Sequence, residues 1–176
     1  AEHDEDAVPI LVTPDAVLAE EVGRELEKQV KALSKKAIAE VSLDNNCFLL
    51  ITKSLEKAVE MANEIAPEHL ELSVENPSEW VKKVNNAGAI FMGHYTPEAM
   101  GDYLAGPNHV LPTSGTARFS SPLGVYDFIK RTSLISYTKE ALQSCGKNVI
   151  MLAEMEDLGG HANSVKLRLE GPDKKS

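Results

Sequence analysis

"CFLLITKSLEKAVEMANEIAPEHLELSV", residues 47–74, is the stretch whose reading decides the fold. CFLLIT (47–52) is an unbroken apolar run and reads as a buried strand. Ser54 then stands in an N-cap position, and a helix over 55–65 turns Ala58, Ala62 and Ile65 to one face. Pro67 ends that helix, and HLELSV (69–74) alternates apolar and polar residues as a half-buried strand does. Strand, helix and strand in so short a space imply a crossover connection and parallel pairing.

The pattern continues on both sides. Upstream, VPILVT (8–13) is a second short apolar run. Thr13-Pro14 offers an N-cap with proline at the first helical position, and Leu18, Val22, Leu26, Val30 and Leu33 mark a helix over 14–33. Downstream, Asn76-Pro77 starts a helix through Val84, and AGAIFM (87–92) is another strand. The expected class is α/β: a Rossmann-like, mostly parallel sheet with flanking helices, followed by a small helical C-terminal arm. Neither G-x-G-x-x-G nor G-x-x-x-x-G-K-[ST] occurs, so neither common phosphate-binding loop is written here.

The periodicity stops between 93 and about 124, where four of the nine prolines and five of the eleven glycines fall. Within it, "GDYLAGPNHVLPTSGTARFSS" (101–121) carries only two charged side chains, Asp102 and Arg118, beside Tyr103, Leu104, Val110, Leu111 and Phe119. A disordered segment would be more polar, so this reads as an ordered functional loop. A short helix or strand is expected near 125–137. A helix over about 139–157 follows, with Leu142, Cys145, Val149 and Leu152 on one face. A Gly159-Gly160 break and a last helix over about 161–169 complete the pattern. The domain reading is 1–124 for the α/β domain, 125–170 for the helical arm, and 171–176 for a disordered tail.

Composition narrows the function classes. Of 176 residues, 43% are hydrophobic and 26% charged, as in a soluble globular domain. A formal net charge of -9 with no basic stripe argues against nucleic acid as a partner. No apolar run reaches membrane-spanning length and no signal-peptide pattern opens the chain, so a cytoplasmic protein without a membrane partner is expected. Cys47 and Cys145 lie far apart and read as reduced thiols.

Five histidines, His3, His69, His94, His109 and His161, are the candidate chemistry-bearing residues. Glu68 and His69 sit where a helix ends and a strand begins, the usual place for sites in open α/β folds, and together offer two proton acceptors. The competing reading makes Glu68 a solvated loop acid and His69 an edge-strand residue. Asp102 and His109 bracket a glycine-rich turn and are of the types that bind zinc. They could equally be a turn cap and a backbone-bonded histidine. His94 has no nameable partner. Glu156 and His161 flank the Gly-Gly break.

"NEIAPEHLEL", "NAGAIFMGHYTPEAMGDYLAGPNHVLPTSGTARFSS", "DFIKRTS" and "LAEMEDLGGHANSV" occur in this order and spacing. Together they resemble the C-terminal part of the histidinol dehydrogenase family. The resemblance covers nearly the whole chain and is dense from Ile65 to Val165. It implies zinc-dependent oxidation of L-histidinol to L-histidine through L-histidinal, with two NAD used in succession, by a homodimer with a shared active site. It implies His69 as general base and Glu68 as the group that activates water. Asp102 and His161 fall on zinc ligands, the latter contributed by the partner subunit. His109 and Glu156 fall on substrate-contacting positions. His3 falls on the last residue of a Gln-Ala-Glu-His zinc motif whose glutamine has no counterpart here. The substrate would thus lie against His3, His69, Asp102, His109, Glu156 and His161. The family's NAD-binding residues match nothing in this chain. It therefore reads as a C-terminal portion that would not turn over alone. A relative acting on a different alcohol, and a non-catalytic metal-binding dimerisation module, are the competing readings.

Overall fold

The strand, helix and strand of 47–74 form where the sequence places them, but the two strands do not pair with each other. In the structure, a computed structural model that describes residues 1–171, strand β1 is Ile10–Thr13, helix α1 is Ala16–Gln29 and helix α2 is Lys36–Asn46. Strand β2 is Phe48–Ile51, helix α3 is Leu55–Ile65 and strand β3 is His69–Leu72. Helix α4 (Pro77–Trp80), strand β4 (Ala89–Met92) and helix α5 (Glu98–Tyr103) follow. The last helices are α6 (Lys139–Met155) and α7 (Gly159–Glu170). Single 3₁₀ turns occupy Val30–Ala32, Val81–Lys83, Thr116–Arg118 and Val125–Phe128. The described residues group into two units, 1–128 and 129–171. The expectation of a disordered tail falls largely on 172–176, outside the described residues.

In the first unit the strands pair in parallel, but as two pairs rather than one continuous sheet. β1 lies beside β2 with Ile10 opposite Phe48, and β3 beside β4 with His69 opposite Ala89. Ser54 caps α3, its hydroxyl accepting from the Lys57 N–H at 3.4 Å. Ala58 and Ala62 are buried as the spacing predicts, joined by Val59, whereas Ile65 is only half-buried. α3 stops at Ala66, fully buried and held in the left-handed region at φ 53°. The following proline disfavours a right-handed helical conformation at Ala66, so the chain turns sharply there. That turn delivers Glu68 and His69 to the start of β3.

Three local readings differ from the structure. α1 is capped by Asp15, whose Oδ1 accepts from the Val17 and Leu18 N–H groups at 2.9 and 3.1 Å, and not by Thr13. Thr13 is still in the strand; its buried hydroxyl accepts from the Asp15 N–H at 3.1 Å. Helix α2 has no counterpart in the sequence reading because its buried residues, Ala39 and Ser42, are too small or polar to mark a hydrophobic face. The Ser42 hydroxyl donates to the Ala7 carbonyl at 2.9 Å, which makes a polar residue suitable at a fully buried position. Finally, β2 is not buried along its length: Phe48 and Ile51 are 48% and 58% exposed within the described residues.

The approach of β4 to the turn before β3 requires a glycine at position 88. Its N–H donates to the Pro67 carbonyl at 2.9 Å, and the Ala89 N–H donates to the Glu68 carbonyl at 2.8 Å. A Cβ at position 88 would stand 2.6 Å from the Glu68 carbonyl oxygen and 3.2 Å from the Pro112 ring. Backbone on one side and a buried proline on the other leave no flexible group to move away. Gly88→Ala is expected to destabilise this unit by about 1–3 kcal/mol, the usual penalty for overpacking. Thermal unfolding checks this; an unchanged melting temperature would show that the turn relaxes freely.

The second unit is a helix pair. Thr138 caps α6, accepting from the Ala141 N–H at 3.2 Å. α6 and α7 pack through small residues: Ala153 and Ala162 are buried, and a Cβ on Gly146 would meet Leu169 and Val165 at 3.0 and 3.2 Å. Lys166 and Glu154 pair across the helices at 2.6 Å. The expected inner face is half correct. Leu142 and Cys145 are partly covered, while Val149 and Leu152 are 43% and 57% exposed, because contact runs along Gly146 and Ala153 instead. The Gly159-Gly160 pair opens α7 rather than separating two helices, and the break falls at Asp157, at φ 59°.

Candidate active site

The chemistry concentrates where β3 faces α5. Successive strand residues point to opposite faces, so His69 and Glu71 share one face of β3 while Leu70 and Leu72 take the other. The Glu71 carboxylate accepts from the Glu98 N–H at 2.8 Å, which ties the first turn of α5 to that face. On α5, Glu98 and Asp102 are four residues apart and therefore lie one above the other on one side of the helix. Their carboxylates and the His69 imidazole each offer a donor atom, and these three atoms all lie within 4.8 Å of one another. No other grouping of three or more histidine, cysteine and acidic side chains is this close among the described residues.

The packing beneath this cluster is specific. Phe91, on β4, is buried and tilted against the His69 ring, with centroids 5.8 Å apart. α5 can lie over Phe91 because position 101 is glycine; a Cβ there would be 2.6 Å from the phenyl ring. Gly101 thus lets Asp102 come close to His69.

The cluster places two acidic groups side by side next to the imidazole. Like charges four residues apart on a helix repel. Burial raises the Glu98 carboxyl above its usual range, the hydrogen bond and negative charge of Asp102 push it further, and His69 pulls it back. His69 Nε2 is buried and has no hydrogen-bond partner; Glu98 Oε1, at 3.7 Å, is too far to provide one. Histidine and carboxylate side chains are of the types that bind zinc or a similar divalent cation, and an imidazole whose ring nitrogen faces a carboxylate is also of the type that serves as a base.

The other sequence candidates are placed as follows. Glu68 lies half-buried in the bend just before β3. His109 is exposed in the segment after α5. That segment is pinned by Asn108, whose amide accepts from the Val110 N–H at 2.9 Å, and by Arg118, which donates to the carbonyls of Gly115 and Glu64. His3 is exposed near the start of the first unit, and Glu156 and His161 are exposed in the second. His94 does have a partner: its Nδ1 lies 2.7 Å from the Ser73 hydroxyl. Glu98 was not among the sequence candidates, although Pro97-Glu98 followed by an acid one turn later carries the pattern.

Comparison with known proteins identifies the frame in which this cluster sits. The family model described as histidinol dehydrogenase matches residues 1–169. The chain belongs to the histidinol dehydrogenase family. It is 55% identical over 168 residues to a histidinol dehydrogenase of Caldanaerobacter subterraneus subsp. tengcongensis, covering 96% of this chain and 39% of that protein. A relative of the same name from Dechloromonas aromatica is 54% identical over 170 residues, covering 97% of this chain and 39% of that protein. The crystal structure of histidinol dehydrogenase from Elizabethkingia anophelis superposes with a TM-score of 0.91 at 36% identity, over 97% of this chain and 39% of that one. The chain therefore spans about two fifths of the length of these histidinol dehydrogenases, and the α/β architecture is theirs. Among the described residues no helix is long and apolar enough to cross a membrane.

Proposed function

We propose that this chain carries the acid–base and metal-binding portion of a histidinol dehydrogenase, an oxidoreductase that converts L-histidinol to L-histidine through L-histidinal. The observation that supports it is the His69–Glu98–Asp102 cluster, in a chain that matches the family along 1–169. Asp102 belongs both to this cluster and to the zinc ligands the family resemblance implies, and is the donor on which zinc binding most depends. Bound zinc would orient the substrate and stabilise charge developing on its oxygen, and two NAD would in turn accept the two hydrides.

The residues divide the proton work. His69 takes the proton of the alcohol as the carbinol carbon loses hydride in the first oxidation. Glu68 takes a proton from the water that adds to the aldehyde, so that the hydrated carbon can lose a second hydride. Adjacent residues at a strand start serve this division because one stays with the metal-side cluster while the other meets an incoming water. The roles of His3, His109, Glu156 and His161, the homodimer and a cytoplasmic location rest on the family resemblance.

The test separates the two half-reactions in an enzyme of the family's full length. Glu68→Gln is expected to slow oxidation of supplied histidinal by about 10²-fold or more, the scale of general-base catalysis, while histidinol-to-histidinal hydride transfer stays close to wild type. Single-turnover kinetics with each substrate read both. Equal slowing of the two steps would remove the role assigned to Glu68.

A further inference from the structure

We infer that Glu98 is a positioning residue for the base: its carboxylate accepts the proton-bearing Nε2 of His69 and so leaves Nδ1 as the nitrogen with a free lone pair. The inference rests on the proposed role of His69. It starts from the orphaned nitrogen. Nε2 is buried, makes no hydrogen bond, and has Glu98 Oε1 facing it at 3.7 Å, within a side-chain adjustment of contact. A neutral imidazole carries its proton on one nitrogen only, and a hydrogen bond to that N–H decides which. A buried N–H without an acceptor is costly, so the free-energy gain from closing this gap favours the tautomer protonated at Nε2.

Glu98 is also held in place as a positioning group should be. It opens α5, its own N–H is tied to Glu71 on the same strand face as His69, and Phe91 supports the imidazole from below. Two carboxylates, Glu98 and Asp102, therefore lie beside one imidazole. Only Glu98 has an ion-pair approach to its ring nitrogen, whereas Asp102 lies a turn further on and is exposed. Asp102 is thus left to the cation and Glu98 to the base.

The experiment compares the full-length enzyme with its Glu98→Ala and Glu98→Gln forms in three readouts. Nitrogen-15 spectra of the histidine-labelled protein, with the His69 signals assigned through His69→Asn, should show Nε2 protonated and Nδ1 unprotonated in the wild type. Glu98→Ala should show a mixture of tautomers. For Glu98→Ala, kcat should fall by about 10²-fold with KM nearly unchanged, as expected when a base is mis-set but substrate still binds. Glu98→Gln, whose amide oxygen can still accept from Nε2, should recover part of that loss and keep the single tautomer. Zinc content, measured by elemental analysis, should be the same in all three. Loss of zinc in both variants, or a His69 tautomer that does not respond to residue 98, overturns the inference. The tautomer and zinc measurements need no turnover. Failure of the wild type to oxidise histidinol would therefore count against the proposed function alone.

Discussion

Replacing His69 with asparagine in the full-length enzyme is expected to lower kcat by about 10²–10⁴-fold, the range for loss of a positioned general base. Both oxidations should suffer, because in each the carbon that loses hydride bears a hydroxyl whose proton must leave, the alcohol's in the first and the hydrated aldehyde's in the second. The fold should survive: the His69 side chain is partly exposed, and its support comes from Phe91, which asparagine leaves in place. Steady-state rates against pH provide the check. The pH dependence of the wild-type rate should be altered in the variant. A variant with the wild-type pH–rate profile would show that another group is the base.

The second large effect is on metal binding. Asp102→Ala should weaken zinc binding by more than the 10–100-fold that loss of an outer-shell partner costs, since the proposed ligand itself is removed. Equilibrium dialysis of the metal-free enzyme with zinc measures it. The metal-free protein, by contrast, should be no less stable than wild type. Asp102 is exposed, and its negative charge lies one helical turn from Glu98, where it works against ionisation of that group. With Asp102 gone, the Glu98 carboxyl should titrate closer to its usual range. Wild-type zinc affinity in Asp102→Ala would contradict the assignment. Unchanged zinc affinity combined with lower stability would make Asp102 a structural residue.

Much of this arrangement was legible before any coordinates. The strand–helix–strand reading of 47–74 rests on features that act locally: an apolar run, a serine cap, and a proline that stops a helix. Those features do not depend on what packs around them, and the Ser54 cap and the start of β3 are as expected; the pairing of the two strands with each other is not, because β2 pairs with β1 and β3 with β4. What was illegible depends on tertiary context. Ser42 can be buried only because the Ala7 carbonyl stands 35 residues away in sequence to accept its proton. A hydrophobicity pattern cannot see that.

The site divides in the same way. Glu68, His69 and Asp102 could be singled out because their residue types are scarce or their loop is unusual. Glu98 could not, because 93–124 was read as a stretch without periodicity. Glycine, in the middle of "EAMGDY", is also a poor helix former. The structure shows why a glycine belongs in that helix: any side chain would strike Phe91, and α5 could not then lie over the ring that supports His69. A local rule is broken for a contact the sequence does not display, and the helix it hid brings Glu98 beside His69.

The most direct measurement is the stoichiometry of hydride transfer. Purified full-length enzyme containing this chain, loaded with zinc, is given limiting L-histidinol and excess NAD, and NADH is followed by absorbance until the reaction stops. Two NADH per histidinol, L-histidine as the product, and no turnover once the metal is chelated are expected. One NADH per histidinol with aldehyde released, or no NADH at all, would contradict the proposed function.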